Sequence, residues 1–327
     1  MMTTNHIDQR TVRTALALAA RAPSIHNSQP WRWVVGPRSV HLYADLRRWL
    51  PATDAQGRDL IVSCGAALHH LRVALAAAGL ASSLRRMPNP TEPNHLAALE
   101  LHPRPAGDAE LALAAAISRR RTDRRRFVDW EVPAAFIDEL IERAAGQGVL
   151  LRAVTEAAPR ARLVAAIREA AEIQEGDAAY RTETAVWSGG YADVDGVPAA
   201  NLLRDPVATG AGTARRFSEG LIEQTAGDPD GAALLMLATA SDDTLAQLRA
   251  GEALSAVLLH ATTLGLATCP LSQPLEVGST RQVVQDEVLG GSAVPQLVVR
   301  AGWAPAGAPL PPTPRRPIDE TIERLQV

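Results

Sequence analysis

No lysine occurs in the 327 residues, so all 33 basic side chains are arginine. Chemistry that needs a Schiff-base lysine or a phosphate-loop lysine is thereby excluded. Two cysteines, Cys64 and Cys269, are too few for a disulfide framework and stand in unrelated contexts, which fits a reducing compartment. Aromatic residues make up only 4%, so the core is expected to be helix-rich and filled by small aliphatic side chains. A net charge of −3 gives no general attraction to nucleic acid or to an anionic membrane, so a basic patch needs a local reason. The first residues do not run from basic to apolar, and no apolar run approaches the eighteen or so residues of a membrane span. The expectation is a soluble, cytoplasmic protein. No Gly-x-Ser-x-Gly elbow, Ser-His-Asp set or Gly-x-Gly-x-x-Gly after a strand can be found, which leaves a hydrolase or a nicotinamide-binding Rossmann domain without support.

What is present is 46% hydrophobic residues, enough to fill the core of one large domain or two ordinary ones. Helical spacing runs from Gln9 to Ala22, Gln56 to Leu80, Ala109 to the arginine run, Ala134 to Ala145, Ala158 to Ile173 and Asp242 to Leu264. Strands are expected at Trp31 to Val35, Val40 to Ala44, Leu96 to Leu101, Val149 to Val154, Gly231 to Thr239 and Val294 to Val299. Trp31 and Trp33 share one strand face, where core packing is a commoner role than a cofactor wall. His69 and His70 point about 100° apart on a helix and read as packing or surface residues. From about Tyr180 to Gly231 the periodicity is weak, and so long an irregular stretch in a compact chain is usually a functional cover or a mobile segment. Gly265 to Pro270 leads from the last long helix into a short loop.

Two stretches concentrate polar chemistry. In Arg21-Ala-Pro-Ser24-Ile-His-Asn27-Ser-Gln29-Pro30-Trp31-Arg32-Trp33 a helix ends before Pro23 and a strand begins at Trp31. Such loops often carry sites, although a Pro/Asn/Ser turn whose polar residues cap the flanking elements is the plainer reading. Arg119 to Arg126 holds six arginines in eight positions. A nucleic-acid surface is disfavoured by the acidic balance and the lack of interleaved aromatics. A solvated helix end and an anion site built from guanidinium forks both remain open.

An internal repeat links the halves. At an offset of 186, Gly65/Gly251, Ala67/Ala253, Leu68/Leu254, Gly79/Gly265, Leu80/Leu266 and Ala81/Ala267 are identical, six of seventeen positions across the two long helices. Repeats of this kind are sought before a fold is assigned.

Pro23-Ser24-x-x-Asn27-x-Gln29-Pro30-Trp31 resembles the flavin-binding loop of the nitroreductase family, and Arg120-Arg121-Thr122-x-Arg124 with Phe127 is similar to that family's Arg-x-Ser/Thr-x-Arg/Lys motif. Arg21 to Trp33, Arg120 to Arg124, Gly251 to Leu259, Gly265 to Cys269 and Thr313 to Arg316 together resemble the mycobacterial Acg-type members. The resemblance implies an α+β, nitroreductase-like fold of two related halves in one chain, an intramolecular pseudo-dimer divided at about 1–103 and 104–327, with an insertion at about 180–231. It implies one FMN between the halves, held by Ser24, Asn27, Gln29, Pro30, Trp31, Arg32, Arg120, Thr122, Arg124, Arg315 and Arg316. NADH or NADPH would donate electrons and a nitroaromatic or quinone would accept them, with the cofactor doing the chemistry and no protein acid, base or nucleophile required. A catalytically silent, flavin-sequestering protein with its flavin under a lid is the alternative. No metal, nucleic-acid or membrane partner is expected, and the chain would be a monomeric pseudo-dimer or a homodimer of it.

Overall fold

The computed structural model describes residues 7–189, 194–204, 215, 217, 220–224 and 230–325. In chain order the elements are α1 (Gln9–Ala19), β1 (Trp31–Val35), β2 (Ser39–Ala44), α2 (Arg58–Ala77), β3 (Leu80–Arg86), β4 (His95–Pro103), α3 (Asp108–Arg119), α4 (Ala134–Ala145), β5 (Leu150–Ala153), α5 (Ala157–Gly176), α6 (Ala178–Val186), β6 (Ser188–Gly189), β7 (Val197–Pro198), β8 (Ala233–Thr239), α7 (Thr244–Thr263), β9 (Ala267–Leu271), α8 (Gln273–Glu276), α9 (Gly278–Val283), β10 (Val294–Gly302) and β11 (Ile322–Arg324). One sheet has the order β11-β1-β2-β4-β3, a second β5-β8-β10-β9, and β6 pairs with β7 alone. The last strand thus returns to the first sheet, where Ile322 lies parallel to Trp33.

Period-two alternation forms β1: Trp31 and Trp33 are fully buried against α2 and the apolar face of α1, while Arg32 points to the opposite face of the sheet. Several elements escaped the pattern. Strand β3 reads Leu-Ala-Ser-Ser-Leu-Arg-Arg, poor in β-branched residues, and exists because β4 pairs along its whole length. Strand β9 contains Pro270 where a loop was expected; it is an edge strand, with Pro270 opposite Val299, and an edge tolerates a missing donor. Helix α6 lies inside the stretch read as irregular.

Helices α2 and α7, the two members of the repeat, cross at their shared glycines. A Cβ on Gly65 would lie 2.1 Å from the Leu248 carbonyl oxygen, and one on Gly251 would lie 2.0 Å from that of Val62. Since 248 − 186 = 62, each glycine meets the same position of its sister helix. His69 and Ser255, equivalent under that offset, bond to each other at 2.7 Å. Contacts that map onto themselves in this way are those of a two-fold interface. Contrary to the expectation from its residues, α2 is long and apolar enough to cross a bilayer, but most of it is buried inside the molecule, as befits a helix apolar on all sides in a protein core.

Candidate functional site

The loop after α1 makes a single 3₁₀ turn, Ile25–Asn27, and then leaves ordinary backbone space. His26, Asn27 and Gln29 have φ of 45°, 56° and 51°, a left-handed region that costs non-glycine residues on the order of 1 kcal/mol or more each. Local bonds hold the turn: the Gln29 N–H donates to Ser24 Oγ at 2.9 Å and the Ile25 N–H to Ser63 Oγ of α2 at 3.1 Å. The C-terminal tail clamps it from outside. Arg315 Nη1 donates to Asn27 Oδ1 at 2.9 Å, Arg315 Nη2 to the Arg21 carbonyl at 3.0 Å, and the Arg316 N–H to Gln29 Oε1 at 2.9 Å.

Facing this loop, the chain after α3 is pinned to β9: Thr122 bridges to Thr268, and the Asp123 N–H donates to the Thr268 carbonyl at 2.9 Å. Thr122 and Arg124 from one half therefore stand opposite Pro23 and Ser24 from the other. These four residues line both of two adjoining cavities, whose empty space comes to about 760 and 550 Å³ with the open mouths included. The two form one cleft between the halves.

Its ends differ in chemistry. One end gathers Arg21, Arg120, Arg121, Arg124 and Arg315 with Asn27 and Asn201. None of these five arginines pairs with a carboxylate among the described residues. Burial and then the neighbouring Arg121 and Arg21 lower the Arg120 guanidinium to about 10, and burial with Arg120, Arg21 and Arg121 lowers Arg315 to about 9. Arg124 is lowered too, chiefly by burial. Nε of Arg21, Arg120 and Arg315 has no hydrogen-bond partner among the described residues. A set of guanidiniums that depress one another, with donors left over, is complementary to a multiply charged anion such as a phosphate. The other end is mostly apolar, walled by Ile25, Val62, Leu254, Leu271 and Leu297 with Cys269. His26 also faces it, 6% exposed and with both ring nitrogens unpartnered among the described residues. Burial, then Arg215 and Arg124, hold that imidazole neutral, well below its usual range.

Residues 194–204 cover the cleft. Asn27 Nδ2 donates to the Gly196 carbonyl at 2.9 Å, Gln29 Nε2 to that of Val194 at 3.0 Å, and Arg124 Nη1 to that of Asn201 at 3.3 Å. Asp195 pairs with Arg48. Phe217 lies edge-on to His26, with ring centroids 5.6 Å apart, and 5.4 Å from the Arg124 guanidinium.

No family model matches the chain. A Mycobacterium tuberculosis (strain ATCC 25618 / H37Rv) protein named "Putative NAD(P)H nitroreductase Rv3131" is 48% identical, over 98% of this chain and 94% of the relative. The chain belongs to this nitroreductase family. The family's "Putative NAD(P)H nitroreductase acg" from the same strain is 37% identical over 95% of both chains. Among solved structures, the FMN-dependent nitroreductase NfnB from Mycobacterium smegmatis, in complex with NADPH, aligns with 67% of this chain and 100% of its own at 18% identity and a TM-score of 0.43. Membership of the family through these relatives, with two sheets and the self-mapping contacts of α2 and α7, agrees with the α+β, nitroreductase-like fold of two related halves expected from the sequence.

Of the residues singled out in this nitroreductase-family sequence, Ser24, Asn27, Arg120, Thr122, Arg124 and Arg315 meet at the cleft. The other five do not line it. Gln29 and Arg316 brace the loop through their mutual bonds. The Pro30 carbonyl accepts from the Asp45 N–H at 3.0 Å, and Trp31 is core. Arg32 sits on the outer sheet face, paired with Glu323 at 2.8 Å and 4.6 Å from the centre of the Tyr43 ring. A strand's alternation already separates Arg32 from its neighbours, but which face meets the cleft is a tertiary fact. His26, Asp59, Ser63 and Cys269 line the cleft without having been singled out. Of these, His26 and Cys269 stood in quoted motifs, and nothing local marked either as facing the cleft.

Proposed function

We propose that the chain binds FMN in this cleft and acts as an NAD(P)H-dependent oxidoreductase on nitroaromatic or quinone acceptors. The observation that supports it most is the arginine cluster, which has no carboxylate counter-ion among the described residues and opens directly into a slot walled in part by leucines, matching a phosphate joined to a flat ring system. Arg120, Arg124 and Arg315 would take the phosphate, with Thr122 Oγ1 as a further hydrogen-bonding group. Asn27 and Ser24 would orient the polar edge of the ring, and the leucines of the slot would exclude water from its faces. Gln29, Pro30 and Arg316 would act indirectly, by holding the strained loop in place. When bound, FMN supplies two-electron transfer between nicotinamide and acceptor.

A second reading has its own support. The carbonyls of Val194, Gly196 and Asn201 tie the covering segment to Gln29, Asn27 and Arg124, so Asn27 and Arg124, which would hold FMN, also hold its cover, and a flavin beneath it would be sequestered rather than turned over. Anaerobic mixing of FMN-loaded protein with NADH and with NADPH separates the two. Rapid bleaching of the flavin absorbance is the result expected of the oxidoreductase, whereas bleaching by dithionite alone would leave the sequestering role. Protein that stays colourless when supplied with FMN would end both.

A further inference from the structure

A buried charge network beside the apolar end of the cleft has no part in the proposed function. Asp59, in the first turn of α2, lines the cleft. Arg58 holds both Asp59 oxygens on one amino group, at 3.0 and 3.2 Å. Arg58 also lines a second cavity, with Asp54 and Glu276. Glu276 pairs with Arg215, which borders the cleft and donates to the Tyr180 hydroxyl at 2.7 Å. The network therefore reaches from one cavity to the other, and Asp54, Arg58 and Asp59 are 4%, 3% and 3% exposed.

Among the described residues its charges do not balance: three carboxylates share two guanidiniums. A buried carboxylate left without a counter-ion favours its protonated form. Asp54 is the odd one, since it accepts from the Leu60 N–H at 2.9 Å but pairs with no guanidinium among the described residues. Burial, then the Asp59 charge, pushes Asp54 up to about 7. Asp59 is raised as well, by burial first, with Arg58 opposing and Glu276 adding. Arg58 keeps Nε and Nη1 unpartnered, free for a second carboxylate when Asp54 ionises. Of the other charges nearby, Arg281 is held by Asp242 at 2.7 Å, and Glu183 of α6 accepts from the Thr53 N–H at 2.8 Å.

We propose that reduction in the cleft is coupled to proton uptake at Asp54, and that Asp59 passes this proton to the electron acceptor. The proposal rests on the cleft being an FMN site. A quinone that receives a hydride, which is one proton with two electrons, lacks one more proton to become the neutral diol. A nitro group likewise needs one proton beyond the hydride to leave as a nitroso compound and water. Asp59 gives that proton, Asp54 replaces it, and water in the second cavity recharges Asp54, so the network returns to its starting charge. Negative charge arriving in the cleft raises nearby carboxyl pKa values, and its departure lowers them, which gives the transfer its direction.

The test is anaerobic photoreduction of FMN-loaded protein, one pH unit above the Asp54 midpoint, in weak buffer with a pH indicator and with an infrared difference spectrum recorded alongside. The native protein should take up an extra proton per two electrons relative to Asp54→Asn, which keeps the Leu60 acceptor, and should show a carboxylic-acid carbonyl band on reduction that the variant lacks. In Asp59→Asn the band should shift, because the two carboxyls interact. Equal uptake and an unchanged spectrum in Asp54→Asn would overturn the proposal while leaving FMN binding intact. Should the protein hold no FMN, the site reading fails, and carbon NMR of aspartate carboxyls in the flavin-free protein still decides the network. One carboxyl titrating near neutral pH and missing from Asp54→Asn would bear it out, and its absence from the native protein would end it.

Discussion

At the scale of single residues, the cleft is decided by where guanidiniums end without carboxylates. The arginine run supplied Arg120 and Arg124, but the same run also holds Arg125, which pairs with Asp123 at 2.7 Å and is spent on structure. Spacing alone could not sort one from the other. Arg124→Ala removes a half-buried cation from the cluster and should lower FMN occupancy of purified protein at least tenfold, charge-assisted bonds of this kind being worth about 1.5–3 kcal/mol. The flavin-to-protein absorbance ratio reads the outcome, and full occupancy would take Arg124 out of the site. Arg32→Ala, on the outer sheet face, should leave that ratio unchanged, its exposed ion pair being worth at most about 1 kcal/mol of stability.

At the scale of elements, the crossing of α2 and α7 was the most legible feature in the chain, because a backbone contact this close admits only glycine. Gly65→Ala would put a methyl 2.1 Å from the Leu248 carbonyl oxygen, and neither partner is a flexible side chain that can step aside. The expected loss of stability is about 3 kcal/mol or more, read from guanidinium denaturation midpoints. Gly251→Ala should cost a similar amount, since its contact is the mirror of the first. The same crossing buries His69 and His70, whose Nδ1 atoms each lie 2.7 Å from Ser255 Oγ. Burial holds both imidazoles neutral: His69 falls from 6.5 to about 3, with Arg72 adding, and His70 falls well below its usual range, with Arg120 adding. The unfolded chain takes up these protons below about pH 6.5 and the folded one does not. Stability from the pair is therefore complete above that pH and is lost as pH falls toward 3, by about 1.4 kcal/mol per pH unit for each histidine. Denaturation midpoints between pH 7 and 4.5 should decline less steeply in His69→Gln than in the native protein. The histidines had read only as packing or surface residues, because their shared partner lies 186 residues away in sequence.

At the scale of the whole molecule, the two halves interlock rather than sit side by side. The strand β11 at the C-terminal end completes the first sheet beside β1, and Arg315 and Arg316 clamp the loop before it. A ligand in the seam between the halves binds only the folded chain, so FMN at about 100 times its dissociation constant should add about 2.7 kcal/mol and raise the melting temperature by several degrees. Differential scanning fluorimetry with and without FMN reads this, and the shift should shrink in Arg124→Ala.

The sequence by itself determined the six longer helices and most strands, the tryptophan face of β1, the glycine-marked repeat and the two polar stretches that meet at the cleft. All of these rest on local periodicity, on backbone restrictions at proline and glycine, or on similarity between segments that can be laid side by side. Only the tertiary structure decided that β3, β9 and β11 are strands, because each depends on a neighbouring strand for its pairing. It alone separated Arg120 and Arg124 from Arg125, left His26 unpartnered and set Asp54 and Asp59 between two cavities, since burial and the nearness of a counter-charge are properties of what the rest of the chain brings alongside.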